Sequence, residues 1–268
     1  MGQIVEFPDE KKAKVKIQKL KKTLENLVLE KDILQYVVCE NIKTEYMLAF
    51  GSLEYRIYKA YCKYLHLRRK KELIQIKKNR QEDFQMKDIE NQLDEEFREY
   101  NKKLEEKIEE INAALKRSKG EVLTDKEADL IKKLYRDIVK RLHPDLNPSV
   151  TDAQKELFYN ATEMYKSGDI DSLKIIYDIV CSEDKKDDVN LHGKFLQDEI
   201  ERLENLVVKI QNDIELIKST APYIWSVYFE DEKKKAEKLK ELEQELKSFN
   251  EAIRTQEEYI NDLMGNKK

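Results

Sequence analysis

The chain has 268 residues and a formal net charge of −4, from 51 Lys and Arg against 55 Asp and Glu. Charged residues make up 40% of the chain and it contains only 6 Gly and 4 Pro, which favours long helices and argues against a compact enzyme or a sheet protein. The nearly balanced charge gives no global footprint of a nucleic-acid-binding protein.

The sequence also argues against a membrane span and a metal site. No uncharged apolar run reaches the ~20 residues that a spanning helix needs. The first residues, Met1–Glu6, are too short and acidic for a signal peptide. Cys39, Cys62 and Cys181 lie far apart and form no pair at metal-ligand spacing. We therefore expect a soluble cytoplasmic protein with reduced thiols, without a metal or another cofactor.

The first predicted helix runs from Lys11 to about Phe50. Apolar residues recur on it at alternating spacings of three and four, which is the heptad pattern of a coiled coil, with Lys31 as a polar member. The apolar members are Ile17, Leu20, Leu24, Leu27, Leu34 and Val38. Gly51 interrupts the pattern, and a Tyr-rich helical stretch follows from Ser52 to about Arg80.

A different period predicts the next helix, from about Asp83 to Arg117. Apolar residues follow spacings of three, four and four, an eleven-residue repeat that occurs three times. They are Met86, Ile89, Leu93, Phe97, Tyr100, Leu104, Ile108, Ile111 and Leu115. The period of 3.67 residues predicts a nearly straight packing seam along one helix.

Shorter elements are predicted between residues 121 and 182. Two capping boxes, Thr124–Glu127 and Thr151–Gln154, mark the starts of two helices. The first ends at Leu142, because a residue before proline disfavours the helical conformation, and Gly168 ends the second. A third helix covers about Ile170 to Val180. The core of the helix pair is predicted to contain Leu134, Tyr135, Ile138, Phe158, Ala161, Met164 and Tyr165.

The first of these helices carries a local excess of positive charge. Between residues 130 and 142 there are five basic residues and one acidic residue. Four of the five lie within a sector about 100° wide, and Arg141 is the fifth. The four are Lys132, Lys133, Arg136 and Lys140. Such a face is a docking surface or, as on many helices, only a solvated one.

The C-terminal part again shows heptads. A charged linker, residues 183–189, precedes them. The apolar residues within 196–217 and 239–263 each keep heptad spacing, and Pro222 breaks the helix between them. Two heptad helices joined by a short turn predict an antiparallel coiled-coil hairpin.

The segment 121–182, about a quarter of the chain, resembles a J domain of the DnaJ kind. The resemblance lies in the loop His143-Pro144-Asp145 between two helices, with Tyr135-Arg136 before it and Phe158-x-x-Ala161-x-x-Met164-Tyr165 after it. It implies that the basic helix docks on a DnaK-type chaperone ATPase and that the loop stimulates ATP hydrolysis. The chain would then be a co-chaperone and not itself an enzyme.

One part of the family pattern is missing. No short helix typical of the start of a J domain is visible before Glu121. Ile111 and Leu115, from the preceding helix, are expected to replace its packing.

We therefore expect an all-α protein in which long coiled-coil helices flank a small J-like helical domain. The expected parts are an N-terminal coiled-coil region (1–120), the J-like domain (121–182), the linker (183–189) and the C-terminal hairpin (190–268). The coils would select a client, a partner or a location, and they leave homo-oligomer formation open.

Two other hypotheses remain at this point. The chain could be a coiled-coil scaffold in which the J-like segment is only structural, since Pro and Asp are ordinary turn residues. Nucleic acid or anionic lipid could bind the basic runs at 11–22 and 68–71, although solvated coiled-coil flanks explain these runs more simply.

Overall fold

The computed structural model describes residues 8–119, 123–181 and 194–265, and every regular element in these ranges is helical. The helices are α1 (Pro8–Ile33), α2 (Cys39–Tyr46), α3 (Ser52–Asn79), α4 (Met86–Glu96), α5 (Arg98–Ser118), α6 (Asp125–Leu142), α7 (Asp152–Ser167), α8 (Ile170–Cys181), α9 (Lys194–Ser219), α10 (Val227–Glu230) and α11 (Glu232–Leu263). Two π-helical segments, Leu34–Val38 and Met47–Gly51, and a 3-10 turn, Tyr223–Ser226, complete them. The predicted all-α class is confirmed, whereas the predicted linker lies outside the described residues.

The chain forms two compact units, each built from segments that are far apart in sequence. Unit 1 comprises the described residues of Met1–Glu40 and Glu121–Ile224. Unit 2 comprises those of Asn41–Gly120 and Trp225–Lys268. Each unit therefore combines part of the predicted N-terminal region (1–120) with segments that follow this region in the chain.

In unit 1, α9 packs along α1. Three ion pairs join the two helices: Lys16 Nζ to Glu204 Oε1 at 2.7 Å, Lys31 Nζ to Asp213 Oδ2 at 2.6 Å, and Lys218 Nζ to Glu30 Oε1 at 3.0 Å. Because Lys16 pairs with an earlier residue of α9 than Glu30 and Lys31 do, the two helices run parallel. Lys31, the polar member of the first predicted heptad, thus finds an acidic partner on α9.

In unit 2, α11 packs along α3 in the same sense. The ring centroids of Tyr61 and Phe249 are 5.7 Å apart, and further along both helices the Lys71 ammonium lies 5.3 Å from the Tyr259 ring centroid. The buried side chains of this pair include Ile57 of α3. Those of α11 are Leu242, Leu246, Ile253 and, in the cluster that contains Ile74 of α3, Ile260.

This packing corrects the predicted C-terminal hairpin. The heptad stripe of α9 is buried against α1 in unit 1, and the stripe of α11 is buried against α3 in unit 2. Each stripe therefore has a partner from the first third of the chain. A heptad pattern specifies which face of a helix is apolar, but the same pattern fits any other apolar helix of similar length.

The predicted helix over 83–117 is divided at Phe97, whose φ of −101° and ψ of 8° leave the helical region. The Phe97 ring contacts His66 at 5.2 Å between centroids, and Ile89 and Leu93 are buried beside it. The later repeat positions Ile108 and Leu115 are 42% and 41% exposed. The eleven-residue repeat therefore describes an apolar stripe that is divided between two helices, α4 and α5, and its first part is the more deeply buried.

Gly51 does not end the helical backbone, because it lies inside the π-helical segment Met47–Gly51 and is buried. A Cβ atom at this position would lie 3.2 Å from Ile111 Cγ1. The glycine thus permits the close approach of α5. Ile111 packs here in unit 2, which corrects the expectation that Ile111 and Leu115 complete the core of the segment 121–182.

The fold makes a prediction about Ile210 of α9. Its side chain is 1% exposed and belongs to the same apolar cluster as Tyr135 and Leu142 of α6. We expect Ile210→Asp to lower the stability of unit 1 by about 3 kcal/mol or more, because a charge would replace a buried apolar side chain. Peptide-resolved hydrogen exchange should show α1, α6 and α9 losing protection together.

Val208→Asp is the matched control, since this neighbour on α9 is 54% exposed. It should leave protection unchanged. The chain's single tryptophan, Trp225, belongs to unit 2, so its fluorescence follows that unit separately. Full protection of α6 in Ile210→Asp would contradict the placement of α9 in this core.

Candidate functional site

The two helices that flank the loop, α6 and α7, each begin with a side-chain cap. At the start of α6 the Glu127 N–H donates to Thr124 Oγ1 at 3.4 Å, and the Thr124 N–H donates to Glu127 Oε2 at 2.8 Å. The equivalent bonds at the start of α7 are 3.3 and 2.9 Å long and join Thr151 to Gln154. Both predicted capping boxes are thus present, and they define the start of each helix.

The residues after α6 form turns fastened to its last turn. The carbonyl of His143 accepts hydrogen bonds from the N–H groups of Leu146 (3.1 Å) and Asn147 (2.9 Å). The Asn147 side chain donates through Nδ2 to the carbonyl of Lys140 at 2.9 Å. Sequence reasoning did not single out Asn147, although asparagine is a common residue of such turns. The loop that contains Pro144 is therefore held at both backbone and side-chain level.

The imidazole of His143 is fixed on two sides. Its ring packs edge-on against Phe158 of α7, with centroids 5.1 Å apart and planes at 74°. Its Nδ1 accepts a hydrogen bond from the Asp145 N–H at 3.1 Å. An accepting Nδ1 carries no proton, so the neutral ring carries its proton on Nε2. The loop thus presents a neutral imidazole of defined orientation.

The surroundings of His143 disfavour its charged form. Burial lowers the pKa of His143 from its ordinary value of 6.5, and the charge of Lys31 lowers it further, while the Asp145 carboxylate opposes the change. A proton added at Nδ1 would also break the bond from the Asp145 N–H. The imidazole is therefore neutral at pH 7.

The predicted basic residues fall into two groups in the structure. The side chains within the predicted sector of α6 are exposed; these are Lys132, Lys133, Arg136 and Lys140. Lys140 Nζ lies 3.8 Å from Glu25 Oε2 of α1, a contact at the solvent boundary. Arg141 is only half-exposed, and its Nη1 donates to the Val180 carbonyl on α8 at 3.2 Å. Arg141 thus joins α6 to α8, apart from the exposed face.

The core residues predicted for this segment meet in one apolar cluster. Tyr135 stacks on Tyr165 with ring centroids 4.2 Å apart and on Phe158 with centroids 6.5 Å apart. The other predicted members also belong to this cluster; these are Leu134, Ile138, Ala161 and Met164. Side chains of α1 and α9 complete it, among them Leu24, Val28 and Leu203. Helices from both ends of the chain therefore contribute to the core behind the loop.

A buried acidic residue, Asp32 of α1, lies in this core and was missed from the sequence. The Tyr135 hydroxyl donates to Asp32 Oδ2 at 2.8 Å and lies 3.2 Å from Thr162 Oγ1. Burial raises the pKa of Asp32 to about 6, although the Tyr135 hydrogen bond and the charges of Lys31 and Lys166 act in the opposite direction. Its signal in the sequence was an acidic residue one helical turn after Val28 and Leu29 and directly before Ile33 and Leu34.

The described ranges 8–119, 123–181 and 194–265 contain no cluster of three or more His, Cys, Asp or Glu residues suited to a metal ion. Within the same ranges no helix combines the length and the apolar character that crossing a bilayer requires. Comparison with protein-family models, curated proteins and solved structures finds no match to this chain. The loop, the basic face and their shared core are therefore the features of the chain that bear on its function.

The geometry at His143 predicts its titration. We expect an NMR titration of the His143 ring to give a pKa below 6.5. Asp145→Asn should lower this pKa further, because it removes the nearby negative charge that favours the imidazolium while it keeps the backbone N–H. A rise of the His143 pKa in Asp145→Asn would contradict the described arrangement.

Proposed function

We propose that this chain is a J-domain-like co-chaperone that docks on a DnaK-type chaperone and stimulates its ATPase. The observation that carries the proposal is the position of the loop His143-Pro144-Asp145 directly after an exposed basic face on α6. A positively charged face steers and orients an acidic partner surface. The loop, fastened through Asn147 and Phe158, would present one fixed shape to that partner.

The role of each residue follows from its environment. Lys132, Lys133, Arg136 and Lys140 would provide the electrostatic contact, since all four are exposed. His143, Pro144 and Asp145 would provide the stimulating contact. Arg141, which bonds α8, would support the face from behind. The long helices of both units would select a client, a partner or a location, in a cytoplasmic setting and without a cofactor.

The alternative is a coiled-coil scaffold. It is favoured by the two long parallel helix pairs, α1 with α9 and α3 with α11, which form the most extensive contacts between helices in the described part of the chain. In that case the loop is only a turn, and the purified chain stimulates no ATPase. The ATPase assay therefore separates the two hypotheses directly.

His143 provides the sharpest test of the proposal. We expect the full chain to accelerate ATP hydrolysis by a DnaK-type chaperone. The His143→Gln variant should show stimulation that is reduced at least about tenfold. Its melting temperature should be unchanged, because the substitution keeps a polar side chain of similar size. The assay is steady-state phosphate release at matched protein concentration.

His66→Gln is the matched control for this substitution. His66 packs edge-on against Phe97 with centroids 5.2 Å apart, as His143 does against Phe158, but it lies in unit 2. The His66→Gln variant should stimulate ATP hydrolysis as strongly as the wild type. Equal stimulation by the His143→Gln variant would overturn the co-chaperone proposal.

The basic face can be tested by charge reversal. We expect Arg136→Glu with Lys140→Glu to weaken chaperone binding about tenfold or more, mainly through slower association, since each exposed charge contributes only about 1 kcal/mol or less. Each single reversal should be mild. Binding kinetics on immobilised chaperone at low and high salt measure the effect.

Lys247→Glu with Arg254→Glu makes the same change of charge on α11, where both side chains are highly exposed (79% and 78%). This control should bind like the wild type. If the control and the α6 double variant lose affinity equally, net charge and not the α6 face determines binding.

A further inference from the structure

Asp32 stands out among the buried side chains because it joins three helices through polar atoms inside an apolar cluster. It is 6% exposed and lies near the end of α1, just before the π-helical segment Leu34–Val38. Its Oδ2 accepts from Tyr135 of α6 at 2.8 Å. Thr162 of α7 continues the chain of contacts, since its Oγ1 lies 3.2 Å from the Tyr135 hydroxyl and donates to the Phe158 carbonyl at 3.0 Å.

The charged groups that face Asp32 are committed to other partners. Lys31, its neighbour on α1, forms the 2.6 Å ion pair with Asp213 of α9. Lys166 of α7 forms a 2.7 Å ion pair with Glu163 and lies 4.3 Å from the Tyr36 ring centroid. An ionised Asp32 therefore depends on a neutral hydroxyl for its hydrogen bond, and a buried charge with such weak compensation is unfavourable.

The other titratable groups nearby are tyrosines. Burial raises the pKa of Tyr135 and raises that of Tyr165 to about 12, so both stay neutral throughout the physiological range. The Tyr165 hydroxyl is buried without a hydrogen-bond partner among the described residues. The pKa of Tyr36 is also raised, by burial and by Asp32 itself. Asp32 is thus the group of this cluster whose charge changes near neutral pH.

We propose that Asp32 is a proton-sensitive latch, which holds α1 tightly on the α6–α7 pair when its carboxyl is neutral and loosens that contact when it is ionised. The inference concerns packing inside unit 1 and does not depend on chaperone binding. It bears on the loop because Phe158 contacts both Tyr135 and His143. The packing of Phe158 against the His143 ring would therefore depend on whether the Asp32 carboxyl is neutral or ionised.

The sign of the pH effect follows from the protonation of the closed and open states. The pKa of Asp32 is raised from 3.8 to about 6 when α1 is docked. The closed state therefore binds more protons than the open state between these values, and acidification favours closure. From these two values, opening should become about tenfold less frequent between pH 7.5 and pH 5.0.

His143 acts in the opposite direction and must be separated from Asp32. Its pKa is lowered from 6.5 by burial, so acidification below this value favours the open state, in which the ring is free to become charged. His143→Gln removes this opposing titration. A clean measurement of the latch therefore uses the full chain carrying His143→Gln as the reference protein.

The test is hydrogen exchange of α1 and α6 peptides at pH 5.0 and pH 7.5, corrected for the intrinsic exchange rate. In the His143→Gln reference we expect about tenfold more protection of residues 24–36 at pH 5.0. Adding Asp32→Asn, which keeps an oxygen acceptor but has no charge, should abolish the difference and leave strong protection at both pH values. Peptides of α11 in unit 2 should not respond.

Two further variants keep the proposal falsifiable. Glu204→Gln removes another carboxylate of the α1–α9 contact, one that pairs with Lys16 and leaves the Lys31–Asp213 pair intact, and it should retain the response of the reference. Tyr135→Phe removes the donor to the ionised carboxylate and should shift the response to higher pH. The proposal is overturned if the reference shows no pH response, or if Asp32→Asn shows the same response as the reference.

Discussion

The parallel pairing of α1 with α9 is the constraint on which unit 1 depends. Each helix has 26 residues and carries an apolar stripe that is buried largely on the other helix. Parallel neighbours cannot be joined by a short turn, because the chain must return over the helix length of about 39 Å. Part of the intervening chain, α6 to α8, packs on the same cluster. The helices that flank the loop, α6 and α7, are therefore an integral part of unit 1 and do not form a separate domain between coiled coils.

Local signals in the sequence predicted the elements well, whereas partners required information that is not local. The capping boxes at Thr124 and Thr151 and the left-handed glycine at Gly168 act within a few residues, so their patterns were sufficient. The heptads also predicted buried positions such as Leu24 and Ile210. They did not predict that α9 would bind α1, because an apolar stripe does not specify which apolar helix will cover it. The ion pair Lys31–Asp213 helps to specify the partner, but it can be recognised only when the register of the two helices is known.

The same division applies to the candidate site. Helical periodicity alone placed four basic side chains on one exposed sector of α6, since the angle between residues of a helix is fixed. It could not place Arg141 against the Val180 carbonyl, which depends on how α8 crosses α6. Nor could it show that Phe158 supports the His143 ring or that Asn147 closes the loop onto Lys140. These contacts arise from packing, and they determine the shape of the loop.

Asp32 gives unit 1 something that its apolar contacts do not provide. An apolar heptad face can shift along its partner by one repeat and still bury similar side chains, so burial alone specifies register weakly. The bonds from Asp32 to Tyr135 and onward to Thr162 can form in only one register of α1 on α6 and α7. A buried carboxyl costs stability, and that cost is compensated only when these bonds are made. The register fixed at Asp32 also positions Tyr135 against Phe158, and Phe158 in turn carries His143. The orientation of the loop imidazole is thus determined from a helix that lies more than a hundred residues earlier in the chain.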